Sequence, residues 1–253
     1  MFYEPGKTEH GLPYDPFKAC VIPRPIGWIS TLSPSGTANL APYSQFNNLT
    51  FDPPYVMFAA NQTPSASQKD TVKNVEDTGV FCWQLATFEL REYVNGTGEQ
   101  LPSEVDEFEH VGLEKEDSVL SFVNVRMDVG VEKIPVPMVK RSPIKFECTY
   151  YSTLRLPGHP PMGSADVVIG RVVGIHIAES VLTDGRIDVA KTVPIARCGY
   201  FEYAAVSKVF EMTIPGEDRG LLAGLEGSSK GNRGEFEGDD AKSAAVPGET
   251  ERR

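Results

Sequence analysis

The chain lacks any Cys-x-x-Cys pair. Its four cysteines, Cys20, Cys82, Cys148 and Cys198, stand singly along 253 residues. That spacing excludes the usual zinc and redox-dithiol patterns, so no metal site is expected. The four read instead as small buried hydrophobes of a protein kept in a reducing compartment. Lys/Arg clusters are also missing, and the net charge is −11. A nucleic-acid binder would show a basic patch, so no nucleic-acid partner is expected. No apolar run approaches the ~20 residues of a membrane helix. The opening MFYEPGKTEHGLPYDPFKAC has no basic start followed by an apolar stretch, as a signal peptide would. A cytoplasmic protein without membrane contact is the expectation. There is no Gly-x-Gly-x-x-Gly fingerprint of a dinucleotide-binding βαβ unit, and no internal repeat.

What is present is mostly strand signal. The Pro-rich first segment should be extended rather than helical. PIGWISTLS, Pro25 to Ser33, is β-branched and aromatic and suits a strand. Ser33-Pro34-Ser35-Gly36 is a turn signal, and Thr37 to Ala41 should return as its hairpin partner. YVMFAA after Pro53-Pro54 reads as a strand buried on both faces. The clearest helix follows. Ser67 is a fit N-cap with Asp70 three places on, Val72 and Val75 share a face, and Gly79 is the stop. VFCWQLAT from Val80 reads as a strand, and Phe88–Gly96 and Glu104–Val111 as short helices. Strand signals dominate after Val119, with long runs from Lys145 and over Asp166–Ile177, and Asp184-Gly185 as a turn. Strands and helices do not alternate, which disfavours a doubly wound sheet and favours an antiparallel barrel with short helical insertions. From Gly216 the composition turns to Gly, charge and small polar residues, so 216–253 is expected to be a disordered tail on a 1–215 domain.

Three stretches carry candidate chemistry. On Asp166–Ile177, one face holds Gly170 and Gly174, which would leave a shallow groove ending at His176. His176 is then either an ordinary packed histidine or one at the rim of a flat ligand. NLAPYSQFNN, Asn39 to Asn48, crowds amides and hydroxyls beside aromatics. It is either a hydrogen-bonded turn or a wall for a heteroaromatic edge. The helix start SQKDTVKN sets Lys69 and Thr71 where the unpaired first-turn amides favour an anion, although Asp70 opposes one.

PRPIGWIST (Pro23–Thr31), NLAPYSQFNN, DPP (Asp52–Pro54) and KDTVKN (Lys69–Asn74) occur in an order and spacing that resembles the flavin reductase-like, FMN-binding split-barrel family. That family includes flavoredoxin and the small reductase components of two-component monooxygenases. IGRVVGIHI, DGRID and PIARCGYFEY (Pro194–Tyr203) extend the resemblance over residues 10 to 214. It implies a six-stranded Greek-key split barrel, a homodimer, and FMN near the subunit interface. Ser30, Thr31, Ser44, Gln45, Phe46, Asn47 and Asn48 would contact the isoalloxazine and ribityl chain. Lys69, Thr71 and Asn74 would hold the phosphate region. Trp28 would pack near the flavin or simply in the core, and His176 would stand where a nicotinamide stacks, as the catalytic candidate. Arg24 could stabilise the reduced ring or serve only structure. NADH or NADPH would be the reductant and a partner monooxygenase the possible acceptor. An FMN-holding electron carrier and a non-catalytic barrel are the alternatives. Gln45 departs from the Phe common in relatives, and the Pro-rich loop PGHPPMG (Pro157–Gly163) could act as a lid.

Overall fold

The computed structural model describes residues 1–212, 214–216 and 227. In chain order its elements are α1 (Phe17–Cys20), β1 (Arg24–Pro25), β2 (Gly27–Leu32), β3 (Ala38–Tyr43), β4 (Phe46–Phe51), β5 (Pro54–Asn61), α2 (Asp70–Thr78), β6 (Val80–Gln84), α3 (Arg91–Gly96) and α4 (Glu107–Val111). There follow β7 (Lys115–Arg126), β8 (Val131–Val139), β9 (Ile144–Leu156), β10 (Ala165–Ile177), β11 (Leu182–Thr183), β12 (Arg186–Ile187), α5 (Val189–Thr192), β13 (Ile195–Arg197) and β14 (Tyr203–Ala205). These all belong to the unit Met1–Val209; a second unit begins at Phe210, and its described residues carry no helix or strand. The tail expected to be disordered lies, apart from Gly216 and Gly227, outside the described residues.

The main sheet runs β3-β2-β6-β9-β10-β5-β4. Its two edges, β3 and β4, are joined by Ser44 and Gln45 alone, so the sheet has to roll until its edges meet there. Laid flat, five strand steps, about 24 Å, would separate β2 from β4. Yet a Cβ placed on Gly27 of β2 would lie 2.8 Å from Phe46 Cδ2 of β4. The sheet is a split barrel, rolled but not closed. Counting β3–β4 as one strand bent at Ser44–Gln45, the barrel has six strands.

Alternation sorts the side chains to two faces. The inner face buries Ile29, Phe46, Phe58, Phe81, Trp83 and Val168, with Val72 and Val75 of α2 packed among them. Phe46 stacks on Trp83 with centroids 5.3 Å apart and planes at 4°. The outer face of β2, β3 and β6 is covered by the β7–β8 hairpin, whose Val123, Val125, Val136 and Met138 pack with Trp28, Leu40 and Phe108.

Several expectations are corrected. β5 buries one face only, through Val56, Phe58 and Ala60; its other face is half-exposed, as suits a strand beside an edge. The α2 N-cap is Lys69, without a side-chain cap bond, rather than Ser67. Ser67 is drawn off by Thr63, whose hydroxyl lies 2.6 Å from its own. Gly79 does end α2, at φ +77° with its amide on the Val75 carbonyl. Only Cys82 and Cys148 are buried; Cys20 is exposed and Cys198 half-buried. α1 puts one helical turn in the segment expected to be extended.

Gly170 and Gly174 do not leave a groove. A Cβ on Gly170 would sit 2.4 Å from the Phe81 ring, and one on Gly174 would press Leu120 and Glu147. The missing side chains are room for neighbours already in place. Gly170→Val is therefore expected to lower stability by about 1–3 kcal/mol, the usual range for overpacking a filled core. A urea midpoint equal to that of the parent protein would show that the ring gives way freely.

Candidate functional site

Where β3 bends into β4, the chain leaves a cleft of about 290 Å3. Tyr43, Ser44 and Gln45 form one wall and the α2 start (Lys69, Asp70, Thr71) a second; Thr97–Leu101, Met162, Asn39 and Glu107 are among the other residues that line it. The bend and the helix start lie far apart in sequence but adjoin because α2 packs on β2 and β3 through Val72 and Val75.

Lys69 sits at the end of α2, where the first amides have no carbonyl one turn earlier to bond. Burial draws its ammonium below the usual lysine range, against the attraction of Asp70. Its Nζ donates to Gln100 Oε1 across the cleft. A polar chain runs from the cleft wall inward. Thr71 Oγ1 donates to Asn39 Oδ1 at 2.6 Å. Asn39 Nδ2 donates to Glu107 Oε1 at 2.9 Å, and the Leu40 amide to Glu107 Oε2 at 3.0 Å. Asn74 Nδ2 donates to Thr31 Oγ1 at 3.0 Å, and Thr31 in turn reaches Asn39 Oδ1 at 3.4 Å. Glu107 is 8% exposed. Burial raises its carboxyl above the usual range, while the Leu40 amide and Asn39 pull the other way. Burial likewise pushes the Tyr43 phenol well above its ordinary value, opposed by a hydrogen bond with Thr71.

The structure brings Ser44, Gln45, Lys69 and Thr71 to the cleft, with Thr31 and Asn74 in the polar chain behind it. It does not bring the other candidates there. Trp28 and Ser30 point to the opposite face of β2. Trp28 Nε1 donates to Thr97 Oγ1 at 2.9 Å, and Ser30 Oγ to the Pro137 carbonyl of β8 at 2.6 Å. Phe46 is inside the barrel, and Asn47 and Asn48 are exposed on edge strand β4. Arg24 Nη1 donates to the backbone carbonyls of Val21 and Lys18, and no carboxylate pairs with it among the described residues.

His176 stands elsewhere. Register runs His176–Lys145–Gln84–Trp28–Pro42 across five strands, four steps or roughly 19 Å of sheet from the cleft wall. Its Nε2 lies 2.7 Å from Glu147 Oε1. It opens on a separate shallow surface shared with Lys140, Arg141 and Lys145. The Pro-rich loop is a wound wall rather than a hinged flap. Gly163 N donates to the His159 carbonyl at 2.8 Å, Asn61 Nδ2 holds the Met162 carbonyl at 3.0 Å, and side chains at Gly158 or Gly163 would collide with backbone.

Asn39, Tyr43, Glu107 and Gln100 were not singled out from sequence. Asn39 and Tyr43 lie inside a motif that marked the region. Glu107 carried no local signal, because its partners are 67 and 68 residues away.

The comparisons agree with this fold. Residues 19–191 match the flavin reductase like domain. An uncharacterised protein of Aquifex aeolicus is 34% identical over 180 residues, covering 71% of this chain and 82% of that one. The crystal structure of nitrilotriacetate monooxygenase component B from Bacillus cereus superposes with a TM-score of 0.72 at 28% identity, covering 84% of this chain and 98% of that chain. The FMN-binding protein from Thermus thermophilus shares the fold, with a TM-score of 0.59 at 15% identity over 84% of this chain and 100% of that chain. A rolled sheet with its polar cleft at the β3–β4 bend, matched over two thirds of the chain by one family's pattern, places this protein in the flavin reductase-like family.

Proposed function

We propose that this chain binds FMN in the cleft at the β3–β4 bend and works as an NAD(P)H-dependent flavin reductase. The observation that carries the reading is the meeting of the Ser44–Gln45 bend with the Lys69 end of α2 in one cleft. A flat ring needs a wall that approaches closely, and a phosphate needs a cation with free amides; the cleft offers both. The residues present fit the mononucleotide: Ser44, Gln45 and Tyr43 face its ring or polyol, and Lys69 with the first-turn amides faces its anion. Asp70 and Glu107 temper that charge. The bound flavin would supply the redox chemistry, accepting a hydride from NADH or NADPH. This chain's part is to hold the ring, exclude water on the Met162 side and leave one face open to the donor.

A homodimer belongs to the proposal. Leu49 and Phe51 on β4, Tyr151 and Leu154 on β9 and Ile175 on β10 are all more than half exposed on the sheet. A second copy is the simplest cover for such a surface. An oxygenase receiving reduced flavin is the proposed partner.

The test is spectroscopic. Protein incubated with FMN and desalted is expected to be yellow, and anaerobic NADH or NADPH is expected to bleach it within seconds in a stopped-flow instrument. Tightly held flavin that neither donor bleaches would convert the reading to an electron carrier. A protein that takes up no FMN in titration would end it.

A further inference from the structure

We infer, resting on the flavin reading above, that Gln100 is a positioning residue for the phosphate: it steadies the Lys69 ammonium across the cleft with a neutral acceptor, so that the lysine charge stays free for an anion. Gln100 thereby sets the preference of this cleft for a phosphorylated flavin over an unphosphorylated one.

Lys69 is the one cation among the described residues that line the cleft, and three carboxylates, Asp70, Glu99 and Glu107, line it too. Proximity alone would pair the lysine with one of them and leave little charge for a phosphate. Each is turned to another partner instead. Asp70 Oδ1 lies 3.4 Å from Lys73 Nζ on the same helix. Glu99 Oε2 lies 3.0 Å from His110 Nε2. Glu107 accepts from Asn39 Nδ2 and from the Leu40 amide. The hydrogen bond that Lys69 Nζ makes goes to Gln100 Oε1. An amide oxygen takes one ammonium hydrogen without cancelling the charge, and two hydrogens remain for a ligand. The loop that carries Gln100 is tied down. Thr97 Oγ1 accepts from Trp28 Nε1 at 2.9 Å and donates to the Val94 carbonyl at 3.2 Å. The Gly98 and Glu99 amides donate to the carbonyls of Asn95 and Gly96, both at 3.1 Å. The two neighbours on this loop are therefore sorted, the acid toward His110 and the amide toward Lys69. Holding the long lysine side chain beforehand lowers the entropy lost when the anion arrives. A glutamate at position 100 would have the same shape and the opposite consequence, an ion pair closed over the cleft.

Two ligands and a double-mutant cycle test this. FMN and riboflavin, which differ by the phosphate alone, are titrated against the full-length protein and its variants by quenching of flavin fluorescence. Gln100→Ala is expected to weaken FMN about 3- to 10-fold, the range of one side chain left to be ordered on binding, and to leave riboflavin unchanged. Gln100→Glu keeps the shape, pairs the lysine and sets a carboxylate near the phosphate. It is expected to weaken FMN about 10- to 100-fold, again with riboflavin unchanged. In the Lys69→Ala background Gln100→Ala is expected to change neither affinity, because the group it holds is gone. Riboflavin weakened as much as FMN would make Gln100 a piece of the wall and overturn its role toward the phosphate, as would FMN binding that Gln100→Glu leaves intact. A Gln100→Ala loss that persists without Lys69 would mean direct contact with the ligand and overturn the positioning role. A parent protein that binds riboflavin as tightly as FMN has no phosphate preference to set, which overturns the role of Gln100 and leaves the flavin reading standing. A parent that binds neither ends the flavin reading itself, an outcome distinct from these.

Discussion

Glu147→Ala is expected to destabilise the fold by about 3–5 kcal/mol, the range for stripping the partner from a buried hydrogen-bonded charge cluster. The reason lies in an irregularity of the β7–β8 hairpin. Asp117 pairs with Pro137 and Phe122 with Pro135, so residues 118–121 on β7 stand opposite Val136 alone. Prolines donate nothing to a ladder, and the looped-out residues leave three amides in need of an acceptor. Glu147 of β9, fully buried, supplies it: Val119 N at 2.9 Å, and Leu120 N and Ser121 N at 2.7 Å each. His176 Nε2 completes the shell. Alanine would leave the three amides without this acceptor, that of Ser121 in a buried setting and the other two in part-buried ones. Equilibrium urea unfolding reads the loss, and a midpoint within error of the parent would show that water reaches the loop.

The same cluster makes a pH statement. Burial alone would raise the Glu147 carboxyl, but the Val119 amide, His176 and the other two amides outweigh it and hold the group below its usual range. Its folded pKa is therefore depressed relative to the unfolded chain. The stability it contributes is fully present above the unfolded value of about 4.3, and is lost as pH falls through the folded value. Below about pH 4 the parent should lose stability more steeply than Glu147→Ala.

Lys69→Ala is expected to lower FMN affinity by about 10- to 100-fold and leave riboflavin affinity nearly unchanged. A charge-assisted hydrogen bond contributes about 1.5–3 kcal/mol, and each 1.4 kcal/mol is a factor of ten. The half-buried setting of Lys69, with its charge partly desolvated, favours the upper part of that range, and the nearby Asp70 the lower part. Removing the side chain also frees Gln100, which loses its tie to α2. Equal losses for both ligands would mean that Lys69 only shapes the cleft, and the phosphate end would have to be sought elsewhere.

Much of the fold was legible because it is written in short-range pattern. The hairpin at Ser33–Gly36, the strands around β9 and β10, the Val72/Val75 face of α2 and its Gly79 stop all follow from neighbours within a few residues. Asp184-Gly185 turns between β11 and β12 with both residues at positive φ, as that pair's permissive backbone suggests. Errors arose where another group, near or far along the chain, competed for a local one. Ser67 would cap a helix if Thr63 did not hold its hydroxyl. The glycines of β10 would line a groove if Phe81 and Glu147 did not fill it.

The candidate site shows the same division. Lys69 and the Ser44–Gln45 bend were readable because residue type at a helix start or a bend has chemical meaning wherever the chain goes. His176 and Ser30 were readable as polar residues on strands, but the face and row they occupy depend on how the sheet rolls. By itself the sequence determined the class of fold, the succession of strands, short helices and further strands, and the family, since periodicity and ordered motifs survive without coordinates. Only the tertiary structure decided that Glu107 meets Asn39 and the Leu40 amide beside Thr71, that Glu147 feeds the β7 loop, and that His176 lies across the sheet from the cleft. Those are matters of which buried donor meets which acceptor, and a buried hydrogen bond between residues 67 or 68 positions apart leaves no local trace.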